Sequence, residues 1–104
     1  MKAIPVTAWV GSKDNAIIAQ IDISPEEIAA LGGIIERPES QLGPLEAAVF
    51  ALATGKVISL SRTENNPVPG YTLILEGPDY SGVLDQFLSE AGLGRDRVTI
   101  EIRA

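Results

Sequence analysis

Apolar and polar residues alternate along short stretches of the chain, and this alternation predicts β-strands. The first stretch runs from Ile4 to Val10 and the second from Ile17 to Ile23, with turn-forming residues 11–15 between them. A period of two places every second side chain on the same face of a strand. The short, Gly- and Asn-containing connection predicts that these two strands form a hairpin.

Three further stretches, residues 57–62, 71–76 and 98–103, alternate in the same way. If apolar parity decides the face, the buried face of the sheet holds Val6, Ala8, Val10, Ile17, Ala19, Ile21, Ile58, Leu60, Leu73, Leu75, Val98, Ile100 and Ile102. The opposite face then holds Thr7, Trp9, Ile18, Gln20, Asp22, Ser59, Thr72, Ile74, Glu76, Thr99, Glu101 and Arg103.

A capping box predicts the start of the first helix. Ser24 can accept from a backbone N–H of the first turn, Pro25 suits the first helical position, and Glu27 can reach back to the cap. Gly32 and Gly33 end this helix after a few residues.

Two more helices follow from the spacing of apolar residues. One opens at Pro44 and closes at Gly55, and it is apolar on nearly all sides, as expected of a helix that is buried or pressed against a partner. The other follows Gly77-Pro78-Asp79 and ends near Ala91, with Asp79 as its expected cap.

The predicted order of elements is ββααββαβ within one domain spanning residues 1–104. This order favours the α+β class, with an antiparallel sheet of about five strands and two to three helices on one face. If the first two helices form one crossover, the order from the second strand onward is that of ferredoxin-like folds, with an extra N-terminal strand. That fold leaves no edge for the N-terminal hairpin. Either the first strand pairs elsewhere, or the sheet is a different antiparallel one.

Composition removes whole classes of chemistry. The 104 residues contain no cysteine and no histidine, which excludes disulfides, thiol catalysis and Ser-His-Asp chemistry within this chain. The N-terminal residues do not resemble a signal peptide, and no apolar stretch approaches the length of a membrane span. Together with the missing cysteines, this predicts a cytoplasmic protein that does not enter a membrane.

The formal net charge of -6 makes direct nucleic-acid binding by a basic surface unexpected. Acidic residues are spread along the chain, and none of their pairs lies in an apolar setting that would favour acid–base catalysis. No Asp-x-Asp-x-Asp-Gly loop is present, so neither a metal site nor a cofactor is predicted. The loop from Gly77 to Gly82 lacks the residues of a phosphate loop. The sequence therefore predicts no catalytic residue.

Arginines are the candidate ligand-binding residues, because a guanidinium can hold a carboxylate or phosphate at two points. Arg95 and Arg97 precede the last strand, and Arg62 precedes a loop that contains two prolines. The alternative interpretation is that Arg95 and Arg97 pair with local acids such as Asp96 and Glu101.

Candidate partner-binding residues lie on the predicted open face and in that loop. They are Trp9, Ile18, Ile74, Glu64, Asn65 and Asn66. Exposed aromatic side chains are favoured anchors at protein interfaces, although Trp9 can equally pack under a loop.

Three functional hypotheses follow. The first is a small, acidic, non-catalytic protein that binds a larger basic protein, as immunity proteins and phage-encoded inhibitors do; it is an analogy of size and charge. The second is a homo-oligomer that binds a small anionic, nucleotide-like ligand between subunits. The third is an enzyme without His or Cys.

Overall fold

Six strands pair in one sheet. The computed structural model describes residues 1–6, 15–37, 45–63 and 67–103. In chain order the strands are β1 (Lys2–Ile4), β2 (Ala16–Ile21), β3 (Leu45–Ala51), β4 (Val57–Thr63), β5 (Tyr71–Leu75) and β6 (Val98–Glu101). Neighbouring strands are all antiparallel, and the spatial order is β1-β3-β4-β5-β2-β6.

Helices interrupt the strands at two places in the described ranges. Helix α1 (Pro25–Ala30) follows β2, and helix α2 (Val83–Ala91) follows β5. A short 3-10 helix (Arg95–Arg97) leads from α2 into β6. The α+β class and the antiparallel sheet are confirmed. No helix in these ranges is long and apolar enough to cross a membrane.

The second predicted helix is wrong, because its residues form strand β3. Glu46 to Phe50 are all buried, so apolar residues occupy both faces of the strand and the alternation disappears. A short apolar run of this kind is ambiguous between helix and strand. Pairing with β1 on one side and β4 on the other decides for the strand. The extra strand means that the ferredoxin-like order is not confirmed.

The predicted N-terminal hairpin is also wrong. Strand β1 pairs with β3, with Ile4 opposite Val49, and β2 lies between β5 and β6 at the other side of the sheet. The first strand therefore pairs elsewhere, which was one of the two open alternatives. Observed β1 stops at Ile4, before Pro5, and residues 7–14 lie outside the described ranges.

A β-bulge changes the face assignment of β2. Ile17 pairs with Ile74, but Ala19 pairs with the next residue of β5, Leu73, so Ile18 is one residue in excess. Ile18 is 0% exposed and belongs to the core, whereas Ile17 is 47% exposed. The sequence assigned these two side chains to the opposite faces, because a strict period of two does not allow for an inserted residue.

The helices pack against one face of the sheet. The core there includes Ile18, Ile21, Phe50, Ile58, Leu60, Tyr71, Leu73 and Leu75 from the strands, with Ile28, Val83, Leu84, Phe87 and Leu88 from the helices. Ile100 and Ile102 were predicted for this face, but they are 50% and 54% exposed. They lie in and just after β6, which has a single strand neighbour in the described sheet.

The capping residue predicted from the sequence is correct for α1 and wrong for α2. At α1 the Ser24 hydroxyl accepts from the Glu27 N–H at 3.1 Å, and the Glu27 carboxylate accepts from the Ser24 N–H at 3.2 Å. This confirms the capping box. Asp79 does not cap α2. That helix begins after Gly82, whose φ of 71° is readily adopted by glycine, and no side chain caps it.

Substituting Ile17 and Ile18 separately tests the bulge. Ile18→Ala removes a fully buried side chain and is expected to lower the free energy of unfolding by about 2–5 kcal/mol. Ile17→Ala shortens a half-exposed side chain, and we expect a loss below about 1 kcal/mol. Urea unfolding of the two variants measures the difference. Equal losses, or a larger loss for Ile17→Ala, would show that the bulge is misplaced.

Candidate functional site

A buried carboxylate lies near one end of the central strands. Glu46 of β3 is 8% exposed and stands directly opposite Arg62 of β4. Its Oε2 accepts from Arg62 Nε at 2.9 Å and from the Tyr71 hydroxyl at 3.0 Å, and its Oε1 accepts from Arg37 Nη2 at 3.3 Å. The Arg62 guanidinium also lies 4.6 Å from the centre of the Tyr71 ring. We call Arg37, Glu46, Arg62 and Tyr71 the Glu46 cluster.

Opposing effects set the ionisation of this cluster. Burial raises the pKa of Glu46, but hydrogen bonds from Tyr71, Arg62 and Arg37 outweigh burial and hold the pKa below its ordinary value. Burial, reinforced by the hydrogen bond to Glu46, raises the pKa of Tyr71 to about 12. Glu46 is therefore an anion and Tyr71 is neutral at pH 7.

Both oxygens of the Glu46 carboxylate are already engaged. A carboxylate with a lowered pKa is a weak general base, and a tyrosine with a pKa near 12 gives up its proton reluctantly. The cluster joins β3, β4 and β5 by hydrogen bonds. This arrangement suits a stabilising role better than proton transfer to a substrate.

The sequence did not single out Glu46 or Tyr71. Glu46 is the one charged residue in the apolar run 45–53, and a carboxylate in such a run needs a cation or several donors when it is buried. That signal was available, but the helix prediction did not say where the Glu46 side chain lies. Its strand partner Arg62 was singled out for a different reason, as a candidate for anion binding.

The three predicted ligand-binding arginines each contact an acidic residue. Arg62 binds Glu46, and Arg95 binds Asp85 at 2.7 Å and Glu101 at 2.8 Å. Pairing of Arg95 with Glu101 confirms part of the alternative interpretation. No carboxylate among the described residues contacts more than one of these three arginines.

Arg97 makes the most complete of these contacts. Its two terminal nitrogens donate to both oxygens of Glu27 at 2.9 Å, and Nη1 also donates to the carbonyl oxygen of Asp22 at 2.8 Å. The hydrogen bonds from Arg97 lower the pKa of Glu27. A bidentate pair of this geometry fixes the 3-10 helix against the start of α1.

The predicted partner-binding residues differ in burial, and some lie outside the described ranges. Trp9, Glu64, Asn65 and Asn66 lie outside the described residues. Ile18 is fully buried, so it presents no surface to a partner. Ile74 is half-buried on the sheet face that carries neither α1 nor α2.

That helix-free face is closed at its centre. One row of paired residues crosses it as Ile17, Ile74, Ser59, Val49 and Ile4. Ser59 and Val49 are 0% and 1% exposed, so the prediction of an open face is wrong there. The Ser59 Oγ is buried and has no hydrogen-bond partner among the described residues. Exposure rises toward the end of the row at Ile17.

Exposed apolar side chains gather at the β2–β6 side of the sheet. Ile17, Ile100 and Ile102 are 47%, 50% and 54% exposed. Ile100 pairs with Gln20 on β2, and the backbone N–H of Ile102 donates to the carbonyl oxygen of Ile18 at 2.9 Å. We call Ile17, Ile100 and Ile102 the β6 edge patch. Beside it, the Arg103 guanidinium lies 5.4 Å from the centre of the Tyr80 ring.

Other concave or acidic regions offer little chemistry. A cleft of about 360 Å³ is lined by Ala3, Ile4, Pro5, Ile34 and Glu36. The Glu36 carboxylate there accepts from the Val6 N–H at 2.8 Å. In the part of the chain that the structure describes, no group of three acidic side chains is placed to hold a metal ion.

Comparison with known proteins gives no match to a family model, to a curated protein or to a solved structure. The function is therefore inferred from the residues themselves.

Alkaline unfolding tests the Glu46 cluster. A raised pKa means that the folded state holds the Tyr71 proton more firmly than the unfolded state does. Its contribution to stability is present below pH 10.0 and is lost as the pH rises toward about 12. In Tyr71→Phe the free energy of unfolding should therefore fall less steeply over this interval, as measured by urea unfolding.

Tyr80→Phe is the matched control, because Tyr80 is 39% exposed and lies outside the cluster. It should keep the steep alkaline fall of the unsubstituted protein. If Tyr71→Phe keeps the same slope as Tyr80→Phe, the hydroxyl of Tyr71 does not titrate as described.

Proposed function

We propose that the chain is a non-catalytic protein-binding domain that contacts another polypeptide through the β6 edge patch. One observation carries the proposal. Exposed isoleucines concentrate beside a strand that has a free side in the described sheet. Apolar side chains next to an open strand edge suit a partner that adds both main-chain hydrogen bonds and apolar contacts.

The exposure of β6 supports this choice of surface. Thr99, Ile100 and Glu101 are consecutive, and all three are exposed. In a strand, consecutive side chains point to opposite faces, so both faces of this edge are accessible. A second polypeptide can therefore pair along the edge and still place its own side chains on either face.

Charged side chains near the edge favour the binding of a polypeptide over an anionic ligand or catalysis. Arg95 and Arg97 already contact carboxylates, so a small anion would have to displace an acidic residue to reach them. The hypothesis of an anionic ligand between subunits gains no support from these contacts. The hypothesis of an enzyme without His or Cys gains none from the Glu46 cluster, whose carboxylate oxygens are occupied.

The type of partner stays a prediction from charge. A net charge of -6 favours association with a basic protein, as an inhibitor or immunity protein would show. Association of this kind weakens as salt is raised.

Site-specific photo-crosslinking tests the proposal. A photoreactive amino acid placed at position 100 should capture a polypeptide in extracts of the native cells. The same group at position 34 is the matched control, because Ile34 is 73% exposed and lines the cleft next to Ile4, at the β1 side of the sheet. Captured products are identified by mass spectrometry.

Position 100 should give a discrete product that position 34 does not give, and adding Ile102→Asp should remove it. Equal capture from both positions, or no discrete product from position 100, would contradict the proposal.

A further inference from the structure

The cleft at the β1 side of the sheet opens where one edge segment gives way to another. Strand β1 leaves β3 after Ile4, which pairs with Val49. Glu36 then takes a neighbouring position along β3 and pairs with Ala47. Residues of both segments line the cleft, namely Ala3, Ile4, Pro5, Ile34 and Glu36. It offers no group for catalysis, but it joins an apolar wall to a single carboxylate.

The Glu36 carboxylate is held in a fixed position. Its main-chain N–H donates to the carbonyl oxygen of Ala47 at 2.8 Å, and the Ala47 N–H donates to the carbonyl oxygen of Glu36 at 2.9 Å. The side-chain Oε2 accepts from the Val6 N–H at 2.8 Å. A ligand that binds this carboxylate would therefore lose little free energy to ordering it.

No lysine or arginine in the described part of the chain neutralises this carboxylate. The ion pairs there use other acids. Oε1 of Glu36 has no hydrogen-bond partner among the described residues. The adjacent Arg37 donates to Glu46 instead, at 3.3 Å. Whereas both carboxylate oxygens of Glu46 are engaged, Glu36 keeps one oxygen available to a ligand.

We propose that this cleft binds a small primary amine, with the ammonium group on Glu36 Oε1 and a short aliphatic stem along Ile4, Pro5 and Ile34. The site lies at the opposite side of the sheet from the β6 edge patch, and it is independent of protein binding there. Its volume of about 360 Å³ is near the lower limit of the roughly 300–1,000 Å³ of small-molecule sites, which favours a small ligand.

The chemistry of the cleft selects an amine over other small ligands. An anion would be repelled by Glu36 and by the net charge of -6, which attracts cations. A neutral apolar ligand would cover the carboxylate without supplying a donor, which is costly. A hard metal ion needs several oxygen ligands, and the described residues contain no group of three acids placed to hold one. An ammonium group supplies a charge-assisted hydrogen bond, and its stem gains by leaving water.

A lysine side chain of another polypeptide has the same chemistry, but this edge of the sheet disfavours that source. Strand β1 contains the exposed Lys2 and is followed directly by Pro5. Both residue types discourage the addition of another strand. A polypeptide would have to reach the cleft without pairing with the edge, whereas a free amine needs no such pairing.

Titration of the purified full chain with n-pentylammonium chloride, followed by NMR of the main-chain amides, tests the proposal. n-Pentanol and pentanoate are probes of comparable length without the positive charge. We expect saturable shifts at Ile4, Ile34 and Glu36 with pentylammonium, and no saturation with pentanoate. Pentanol should bind more weakly by about fivefold or more. Raising NaCl should weaken the binding of pentylammonium but not that of pentanol.

Two substitutions separate the charge from the apolar wall. Glu36→Gln keeps an oxygen that can accept from the Val6 N–H but removes the charge. It should raise the dissociation constant of pentylammonium by about fivefold or more and leave that of pentanol unchanged. Ile34→Ala shortens an exposed side chain and should weaken both probes. Glu26→Gln is the matched control, because it removes the same charge from an exposed residue of α1 and should change neither constant.

Pentanol that binds as tightly as pentylammonium, a Glu36→Gln variant with an unchanged dissociation constant, or no saturable shift at the cleft would overturn the assignment. A discrete polypeptide captured at position 34 by photo-crosslinking would also overturn it, because the cleft would then hold a side chain of a partner. The titration uses the protein alone, so its failure leaves protein binding at the β6 edge patch standing. Failure of capture at position 100 likewise leaves the amine site standing.

Discussion

The extra residue at Ile18 sets the form of the β2–β6 half of the sheet. Two adjacent isoleucines of β2 differ in burial, since Ile18 lies in the core and Ile17 is half exposed. The carbonyl oxygen of Ile18 also accepts from the N–H groups of both Ile102 and Arg103, which fixes the end of β6. The bulge therefore determines both which isoleucine is exposed and where the last strand ends. The β6 edge patch depends on both.

The Glu46 cluster performs a different task in the central strands. A buried carboxylate without partners would be costly, and three donors from β4, β5 and residue 37 satisfy this one. Its hydrogen bonds connect strands that are otherwise held by main-chain pairing and apolar contacts. The polar side chains of the Glu46 cluster thus act within the sheet, near the end of the central strands. Ile17, Ile100 and Ile102 are exposed at the β2–β6 side, and Ile34 is exposed at the β1 side.

Sequence patterns predicted some elements well and others not at all. The capping box at Ser24 was found because it depends on residues three positions apart. The strands β4 and β5 were found because polar and apolar residues alternate in both, although β4 is buried on both faces. Strand β3 was mistaken for a helix because apolar residues occupy both of its faces, so its sequence does not alternate. Its identity comes from distant partners, β1 and β4, which a local pattern does not contain.

The surface was harder to predict than the core. Ile100 and Ile102 alternate as buried strand residues do, yet they are exposed because β6 lies at an edge of the described sheet. Edge position is a property of the whole sheet. The same exposed residues form the surface that we propose for binding, which required the strand order. The sequence had pointed instead to Ile18 and Ile74, on a face whose centre is buried.

Amide hydrogen exchange along β6, followed by NMR before and after the polypeptide captured at position 100 is added, tests the central claim most directly. Exchange slows where a main-chain N–H becomes paired. If that polypeptide pairs with the edge strand, exchange slows at one or more residues of Val98–Glu101, while exchange at Lys2 in β1 does not change. Unchanged exchange throughout β6 when the captured polypeptide is bound would contradict the account.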